Sequence, residues 1–288
     1  MGIGDDCALL RPDAGLELAV TTDTLIEGRH FLPGTDAEAL GHKCLAVNLS
    51  DLAAMGAAPR WATLALALPA ADERWLGAFA RGFFALASRY GVDLVGGDTT
   101  RSPLLTINIT ALGEVPSGVA MYRAGARPGD DIWVSGEVGG AALALAHPEL
   151  AAVADRLHRP EPRVELGERL RGLARAAIDV SDGLAGDLGH VLERSQVGAV
   201  VEYAKIPRPA AFDKFRDLER DCVLSGGDDY ELVFTAAQPQ RGDIEALARE
   251  LKIPLTRIGA IQSGAAKLTV LDAAGKPMAF RGGFDHFA

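Results

Sequence analysis

Residues 92–100 read VDLVGGDTT, a short apolar strand that runs into glycine, aspartate and hydroxyl side chains. The same order of residue types recurs at residues 4–6, 21–24, 179–183 and 226–229. Hard divalent cations bind carboxylate, hydroxyl and carbonyl oxygens, and glycine lets backbone amides approach phosphate oxygens. These five acidic loops predict a magnesium-dependent phosphoryl-transfer enzyme, and Asp51 within the sequence NLSD is a sixth candidate ligand.

The alternative for any one of these loops is an ordinary turn, because Asp and Gly are common turn residues. Two of the loops, however, carry a doubled aspartate. Neighbouring carboxylates repel each other unless a cation neutralises them. The set as a whole therefore favours a metal site, whereas a single loop would not.

Outside the acidic loops, both halves of the chain mix strands and helices. The patterns of the first half predict strands at 16–22, 61–68, 92–95 and 104–114 and helices at 40–55 and 72–90. Those of the second half predict strands at 131–135, 176–180, 199–202, 232–235 and 268–271, with helices from 141, at 164–175, at 184–195 and at 244–251. Val223 and Leu224 are interpreted as the short strand before the last acidic loop. A stretch rich in Gly, Pro, Ser and Arg at 116–128 predicts two domains, 1–117 and 118–288.

Composition excludes several classes of protein. The net charge of −10 and the absence of a Lys/Arg cluster argue against nucleic-acid binding. No apolar run is long enough to cross a membrane. The three cysteines are widely separated and form no CxxC motif, which argues against a disulfide framework or a zinc site and favours a cytoplasmic location.

Other phosphate-binding motifs are missing or weak. There is no GxxxxGK[ST] motif, and no GxGxxG motif follows a strand. The segment Gly136–Gly140 between a strand and a helix offers amides to a phosphate, but it is at least as well explained as a turn. On spacing alone, His30 is interpreted as structural.

Taken together, the chain resembles the thiamine-monophosphate kinase family of the aminoimidazole ribonucleotide synthetase-like superfamily. The matching stretches run in order from residue 2 to residue 287: GIGDDCALL, TTDTLIEGRHF, KCLAVNLSDLAAMGAAP, GGDTTRSP, RAGARPGDDIWVSG, AIDVSDGLAGDLGH, SGGDDYELVFT and GGFDHF. The resemblance implies an α+β fold of two mixed α/β domains, the first binding ATP and Mg²⁺ and forming a dimer. It also implies ATP-dependent phosphorylation of thiamine monophosphate to thiamine pyrophosphate by direct in-line transfer.

The resemblance assigns roles by position. Ligands of several magnesium ions are expected at Asp6, Thr21, Thr22, Asp23, Asp51, Asp98, Asp179 and Asp182. Nucleotide contacts are expected at Tyr90, Gly97, Asp98, Arg123 and Ser181. Contacts to thiamine monophosphate are expected at His30, Asp228 and Phe284, and this overrides the structural interpretation of His30. Asp51, Asp98 and Arg123 are the residues expected to carry catalysis.

The chain departs from the family pattern in two places. Members usually carry a further segment with a helix before GIGDD, which this chain lacks, and they usually have Glu where Asp228 stands. The resemblance further implies a homodimer, with the strands at 61–68 and 104–112 as candidate interface. Two alternatives stay open at this point: a nucleotide- and magnesium-binding paralogue with little turnover, and another ATP-dependent enzyme of the superfamily.

Overall fold

The first unit of the chain is a four-stranded sheet with two long helices. The computed structural model describes residues 7–283. The first unit comprises the described residues up to Ala53, together with Ala57–Ala120 and His158–Val164. In chain order its elements are β1 (Leu16–Ile26), α1 (Ala37–Ala54), β2 (Ala58–Leu68), α2 (Glu73–Tyr90), β3 (Asp93–Arg101) and β4 (Thr106–Pro116). The sheet order is β1-β4-β2-β3, with β2 and β3 parallel and the other pairs antiparallel.

Local chemistry fixes the limits of α2. The Asp72 carboxylate accepts the backbone N–H groups of Arg74 and Trp75, which have no partner within the helix. Gly91 ends the helix in the left-handed conformation, with φ of 66°. Phe79, Phe83 and Leu86 lie on its buried face.

Helices α1 and α2 pack at glycine contacts. A Cβ atom at Gly41 would lie 2.1 Å from the Phe79 carbonyl oxygen, and one at Gly82 would lie 1.8 Å from that of Glu38. Both distances are far below van der Waals contact, so only glycine permits this approach of the two backbones.

The second unit is a six-stranded sheet with helices, formed by Ala54–Gly56, Met121–Leu157 and the described residues from Glu165 onward. Its strands are β5 (Asp131–Ser135), β6 (Ala174–Asp179), β7 (Gly198–Glu202), β8 (Leu232–Ala236), β9 (Leu255–Gln262) and β10 (Leu268–Leu271), in the order β10-β7-β9-β5-β8-β6. Its helices are α3 (Gly140–Ala146), α4 (Ala151–His158), α5 (Val164–Leu170), α6 (Leu184–Ser195), α7 (Arg216–Ser225) and α8 (Arg241–Leu251). The last residue of α4, His158, and the first of α5, Val164, belong to the first unit. Leu188, Val223 and Val233 from α6, α7 and β8 are fully buried in one apolar core.

The structure corrects several predicted elements. Two of the acidic segments are not loops. The strand predicted at 16–22 continues through Asp23 to Ile26 as β1, and Gly97 and Asp98 lie within β3. The residue types in these two segments are typical of turns. Pairing of their backbones with β4 and β2 nevertheless keeps both segments extended.

Other corrections concern the second unit. The predicted strand residues Val223 and Leu224 form the last turn of α7. The helix predicted at 164–175 ends at Leu170, and β9 and α4 were not predicted. None of the helices in the described part of the chain has the length and apolar character needed to cross a membrane.

Candidate active site

A hydroxyl and a carboxylate meet where β1 faces α1 in the first unit. The Thr21 hydroxyl donates a hydrogen bond to the Asp51 carboxylate, 30 residues away in sequence. Strand alternation places Thr21 and Asp23 on the same face of β1, and both are half-buried. Of the metal ligands expected in the first unit, the structure therefore brings Thr21 and Asp51 together.

Thr22 lies on the opposite face of the sheet. Its hydroxyl donates to the carbonyl oxygen of Ile109 at 3.1 Å and accepts from the Thr110 hydroxyl at 3.1 Å. The Thr22 side chain is thus engaged with β4 rather than with Asp51.

Asp98 and Gly97 occupy the edge strand β3, and Asp98 is exposed. A Cβ atom at Gly97 would lie 1.9 Å from the Leu64 carbonyl oxygen of β2. Glycine at this position is therefore required by the close pairing of β2 and β3, a structural reason that the sequence did not reveal. This structural requirement for glycine at position 97 is compatible with a contact between the Gly97 backbone and a nucleotide.

His30 lies in the turn that follows β1. Its Nδ1 atom accepts the Ile26 backbone N–H at 3.0 Å. An imidazole that accepts at Nδ1 carries its proton on Nε2, which makes Nε2 a donor.

Tyr90, at the end of α2, is anchored by its hydroxyl. The hydroxyl lies 2.9 Å from a Glu161 carboxylate oxygen and 3.0 Å from the Pro162 carbonyl oxygen, and Arg89 pairs with the same glutamate. Burial, followed by the nearby Glu161 charge, raises the pKa of Tyr90. A nucleotide would therefore meet its ring rather than its hydroxyl.

In the second unit, a buried carboxylate organises the loop that follows β6. One oxygen of Asp187 accepts the backbone N–H groups of Ser181, Asp182 and Gly183, at 3.0, 3.0 and 3.1 Å. Burial raises the pKa of Asp187 to about 7, although these hydrogen bonds lower it. Asp187 thus holds the loop that carries the expected ligand Asp182, close to Asp179 at the end of β6.

The loop between α7 and β8, residues 226–231, packs directly on that β6 loop. The Asp228 N–H donates to the Ser181 carbonyl oxygen at 2.9 Å, and the Tyr230 N–H donates to that of Val180 at 2.8 Å. A Cβ atom at Gly227 would lie 2.3 Å from the Ser181 carbonyl oxygen. The Tyr230 hydroxyl donates to Asp228 Oδ1 at 2.9 Å.

A second buried carboxylate, that of Asp229, accepts hydrogen bonds from backbone amides at the start of α3. It accepts the N–H groups of Gly139 at 2.6 Å and Ala141 at 3.3 Å. Burial raises its pKa to about 8. An internal carboxylate therefore accepts the amide hydrogen bonds that the segment 136–140 would otherwise offer to a phosphate. The structure favours the turn interpretation of this segment.

Glu231 is the third buried acid near this loop. The Ser135 hydroxyl donates to it at 2.5 Å, and a guanidinium nitrogen of Arg156 lies 3.6 Å from it. A Cβ atom at Gly136 would lie 1.9 Å from Glu231 Oε1, so glycine makes room for this carboxylate. Nothing in the sequence separated Asp187, Asp229 and Glu231 from the expected ligands, since their roles depend on residues distant along the chain.

Arg123, Asp6 and Phe284 are the remaining expected site residues. The Arg123 side chain is exposed, and its carbonyl oxygen accepts the Ser195 hydroxyl at 3.2 Å. Asp6 and Phe284 lie outside the described residues.

The donor set suits magnesium. Among residues 7–283, no three His, Cys, Asp or Glu side chains are grouped as a ready metal site. Magnesium needs only one or two carboxylates when waters and substrate phosphates complete its shell. The Thr21–Asp51 contact supplies hydroxyl and carboxylate oxygens of the type that this ion prefers.

Comparisons with known proteins extend over the whole chain. Residues 4–115 match the N-terminal domain and residues 127–270 the C-terminal domain of AIR synthase related proteins. The thiamine-monophosphate kinase of Salmonella typhimurium is 45% identical over 100% of this chain and 92% of its own length. That of Bacillus subtilis is 34% identical over 100% of this chain and 93% of its own length. The chain belongs to the thiamine-monophosphate kinase family.

Solved structures agree with this family assignment. The crystal structure of thiamine-monophosphate kinase from Stenotrophomonas maltophilia K279a has a TM-score of 0.90 and 51% identity, covering 96% of this chain and 92% of that one. AaThiL complexed with AMPPCP and TMP has a TM-score of 0.83 and 30% identity, covering 96% and 89%. The predicted α+β fold of two domains of this superfamily is confirmed.

Proposed function

We propose that this thiamine-monophosphate kinase family member transfers the γ-phosphoryl group of ATP to thiamine monophosphate, giving thiamine pyrophosphate and ADP. The observation that carries the proposal is the full-length match, at 45% identity, to a relative of that name. A structural relative that holds AMPPCP together with TMP supports both substrates.

The reaction needs positioning more than proton transfer. The acceptor phosphate is already ionised near neutral pH, so no general base has to be supplied. An acceptor oxygen attacks the γ-phosphorus as the bond from that phosphorus to the β–γ bridging oxygen breaks, and ADP leaves. The main barrier is repulsion between phosphates, which in-line alignment and neutralisation of charge reduce.

Magnesium, when bound, supplies that neutralisation. We assign its ligands to Asp6, Thr21, Thr22, Asp23, Asp51, Asp98, Asp179 and Asp182. The contact between Thr21 and Asp51 and the anchoring of the Asp182 loop by Asp187 support this set, because both hold oxygen donors in place before the ions bind. Thr22 fits least well, since its hydroxyl is engaged on the other face of the sheet.

The organic substrates require different residues. The Tyr90 ring, the Gly97 backbone, Ser181 and the Arg123 guanidinium are proposed to hold the nucleotide, and Arg123 also stabilises charge on the transferred group. Thiamine monophosphate carries a cationic thiazolium ring. We assign thiamine monophosphate to His30, Asp228 and Phe284. The Asp228 carboxylate can bind the cationic ring by charge, and the Phe284 ring can bind it through its face.

Turnover tests the function directly. Purified protein with ATP, Mg²⁺ and thiamine monophosphate is expected to form thiamine pyrophosphate, detected by chromatography. Asp51→Asn and Asp98→Asn are each expected to lower kcat by at least about a hundredfold while circular dichroism is unchanged, because each removes a charge from the metal ligands. Asp93→Asn, on the exposed start of the same strand as Asp98, is the matched control and should retain full activity.

The same experiment separates the alternatives. Thiamine monophosphate binding by calorimetry without product would identify a binding paralogue. Absence of both binding and product in a folded sample would point to another substrate of this superfamily. Near-wild-type turnover of Asp51→Asn or Asp98→Asn would refute the metal assignment.

A homodimer in the cytoplasm completes the proposal. One face of the first sheet carries Val20, Leu112 and Trp61 in a single row across β1, β4 and β2, and Val20 is 61% exposed. Such a row suits contact with a second copy of the chain. The wide separation of the three cysteines in the sequence supports the cytoplasmic location, because disulfide frameworks belong to oxidising compartments.

A further inference from the structure

Two residues of the loop between α7 and β8 have an unusual backbone conformation. Among residues 7–283, four non-glycine residues have positive φ: Gln196, Asp228, Tyr230 and Lys252. Gln196 and Lys252 end helices α6 and α8, a common place for this conformation. Asp228, with φ of 70°, and Tyr230, with φ of 52°, end no helix.

Backbone strain of this kind persists only where the surroundings enforce it, and it clusters at functional sites. Here the backbone conformation of the loop is enforced by hydrogen bonds from the Asp228 and Tyr230 N–H groups to the carbonyl oxygens of Ser181 and Val180. It is also enforced by the close packing at Gly227, which leaves no room for a side chain. These contacts continue the β6–β8 ladder beyond the ends of the two strands.

The conformation of the two residues aims one side chain at the other. The Tyr230 hydroxyl donates to Asp228 Oδ1 at 2.9 Å, and both residues are half-buried. A hydroxyl donor on one carboxylate oxygen fixes the orientation of that carboxylate. Because the carboxylate is already ordered, less free energy is lost in ordering it when a ligand binds.

We propose that Tyr230 is a positioning residue that orients the Asp228 carboxylate toward the cationic ring of thiamine monophosphate and so sets the affinity for that substrate. The inference rests on the proposed function, and it adds a residue that acts through Asp228 rather than by touching the substrate. Tyr230 affects binding of the thiamine substrate and leaves the nucleotide and the transferred phosphoryl group unaffected.

Steady-state kinetics of Tyr230→Phe test the proposal. The KM for thiamine monophosphate is expected to rise about fivefold, the loss typical of an ordinary hydrogen bond. This is less than for a buried bond to a charged group, because the pair is half-exposed. The kcat and the KM for ATP should change by less than twofold. Tyr203→Phe is the matched control: its hydroxyl donates to the Glu219 carboxylate at 3.0 Å in the same unit, and its loss should leave the KM for thiamine monophosphate unchanged.

A double-mutant cycle identifies the partner. Asn tolerates the left-handed conformation, so Asp228→Asn removes the charge with little strain on the backbone. In that background, Tyr230→Phe should change the KM for thiamine monophosphate by less than twofold. An unchanged KM in the single variant, an equal rise in the KM for ATP, or additive effects in the cycle would overturn the proposal.

The wild-type assay separates this inference from the function itself. If wild-type protein does not phosphorylate thiamine monophosphate, the proposed function fails. If it does and Tyr230→Phe behaves like Tyr203→Phe, only the positioning role fails. Thermal unfolding of each variant shows whether a KM change follows from lost stability, in which case the positioning role is also rejected.

Discussion

At the residue scale, aspartates of similar sequence context have opposite roles. Asp182 and Asp228 lie in the loops and are expected to meet ions or substrate, whereas Asp187 and Asp229 accept backbone N–H groups. Residue type and spacing identified the acidic loops as a set. They could not distinguish an aspartate that binds a ligand from one that supports a loop. The supporting role of Asp229, for example, depends on its hydrogen bond from Gly139, 90 residues earlier in sequence.

Asp229 makes stability depend on pH. Burial raises its pKa in the folded protein to about 8 from an ordinary value of 3.8. The folded state therefore holds a proton that the unfolded state releases near pH 4. This contribution to stability is complete below about pH 4 and is lost as the pH rises toward 8.

Chemical denaturation without magnesium or nucleotide measures this effect. Between pH 5 and 7, wild-type protein is expected to lose up to about 1.4 kcal/mol of unfolding free energy per pH unit through Asp229. Asp229→Asn lacks this dependence, so the advantage of wild type over the variant should shrink with rising pH. Parallel pH profiles for the two proteins would contradict the assignment.

At the element scale, capping chemistry was easier to predict than pairing. The predicted and observed limits of α2 differ by one residue, because Asp72 and Gly91 act locally. β1 and β3 extend through residues predicted as loops, because pairing with β4 and β2 keeps them extended. Val223 and Leu224 form too short an apolar run to distinguish a strand from the end of a helix.

The glycine contact between α1 and α2 gives a prediction at this scale. Gly82→Ala places a Cβ atom 1.8 Å from a backbone oxygen, so the two helices must move apart. We expect a loss of about 3 kcal/mol or more of unfolding free energy, at the upper end for an overpacked core.

Gly77→Ala on the same helix is the matched control. Its nearest neighbour would be a flexible Arg81 nitrogen at 3.9 Å. Higher helix propensity should then stabilise the protein by up to about 1 kcal/mol. Urea unfolding of both variants checks the pair, and equal effects would show that the close approach of the helices is not limiting.

At the scale of the whole molecule, the sheet face around Val20 predicts the oligomeric state. Wild-type protein is expected to show twice the chain mass by light scattering coupled to size-exclusion chromatography. Val20→Glu introduces a charge that must lose its hydration in the contact, so the dimer should weaken at least about tenfold. Leu32→Glu, 47% exposed and outside the sheet, is the control and should remain dimeric. A wild-type monomer would exclude this interface.

The tight packing of the loop between α7 and β8 on the β6 loop restricts how substrate preference can evolve. At Gly227 there is no space for a Cβ atom, and at Gly183 one would lie 2.8 Å from the Ser225 backbone. Gradual drift of the backbone toward a larger or smaller substrate is therefore blocked. New specificity would have to come from exchanging side chains on this fixed backbone.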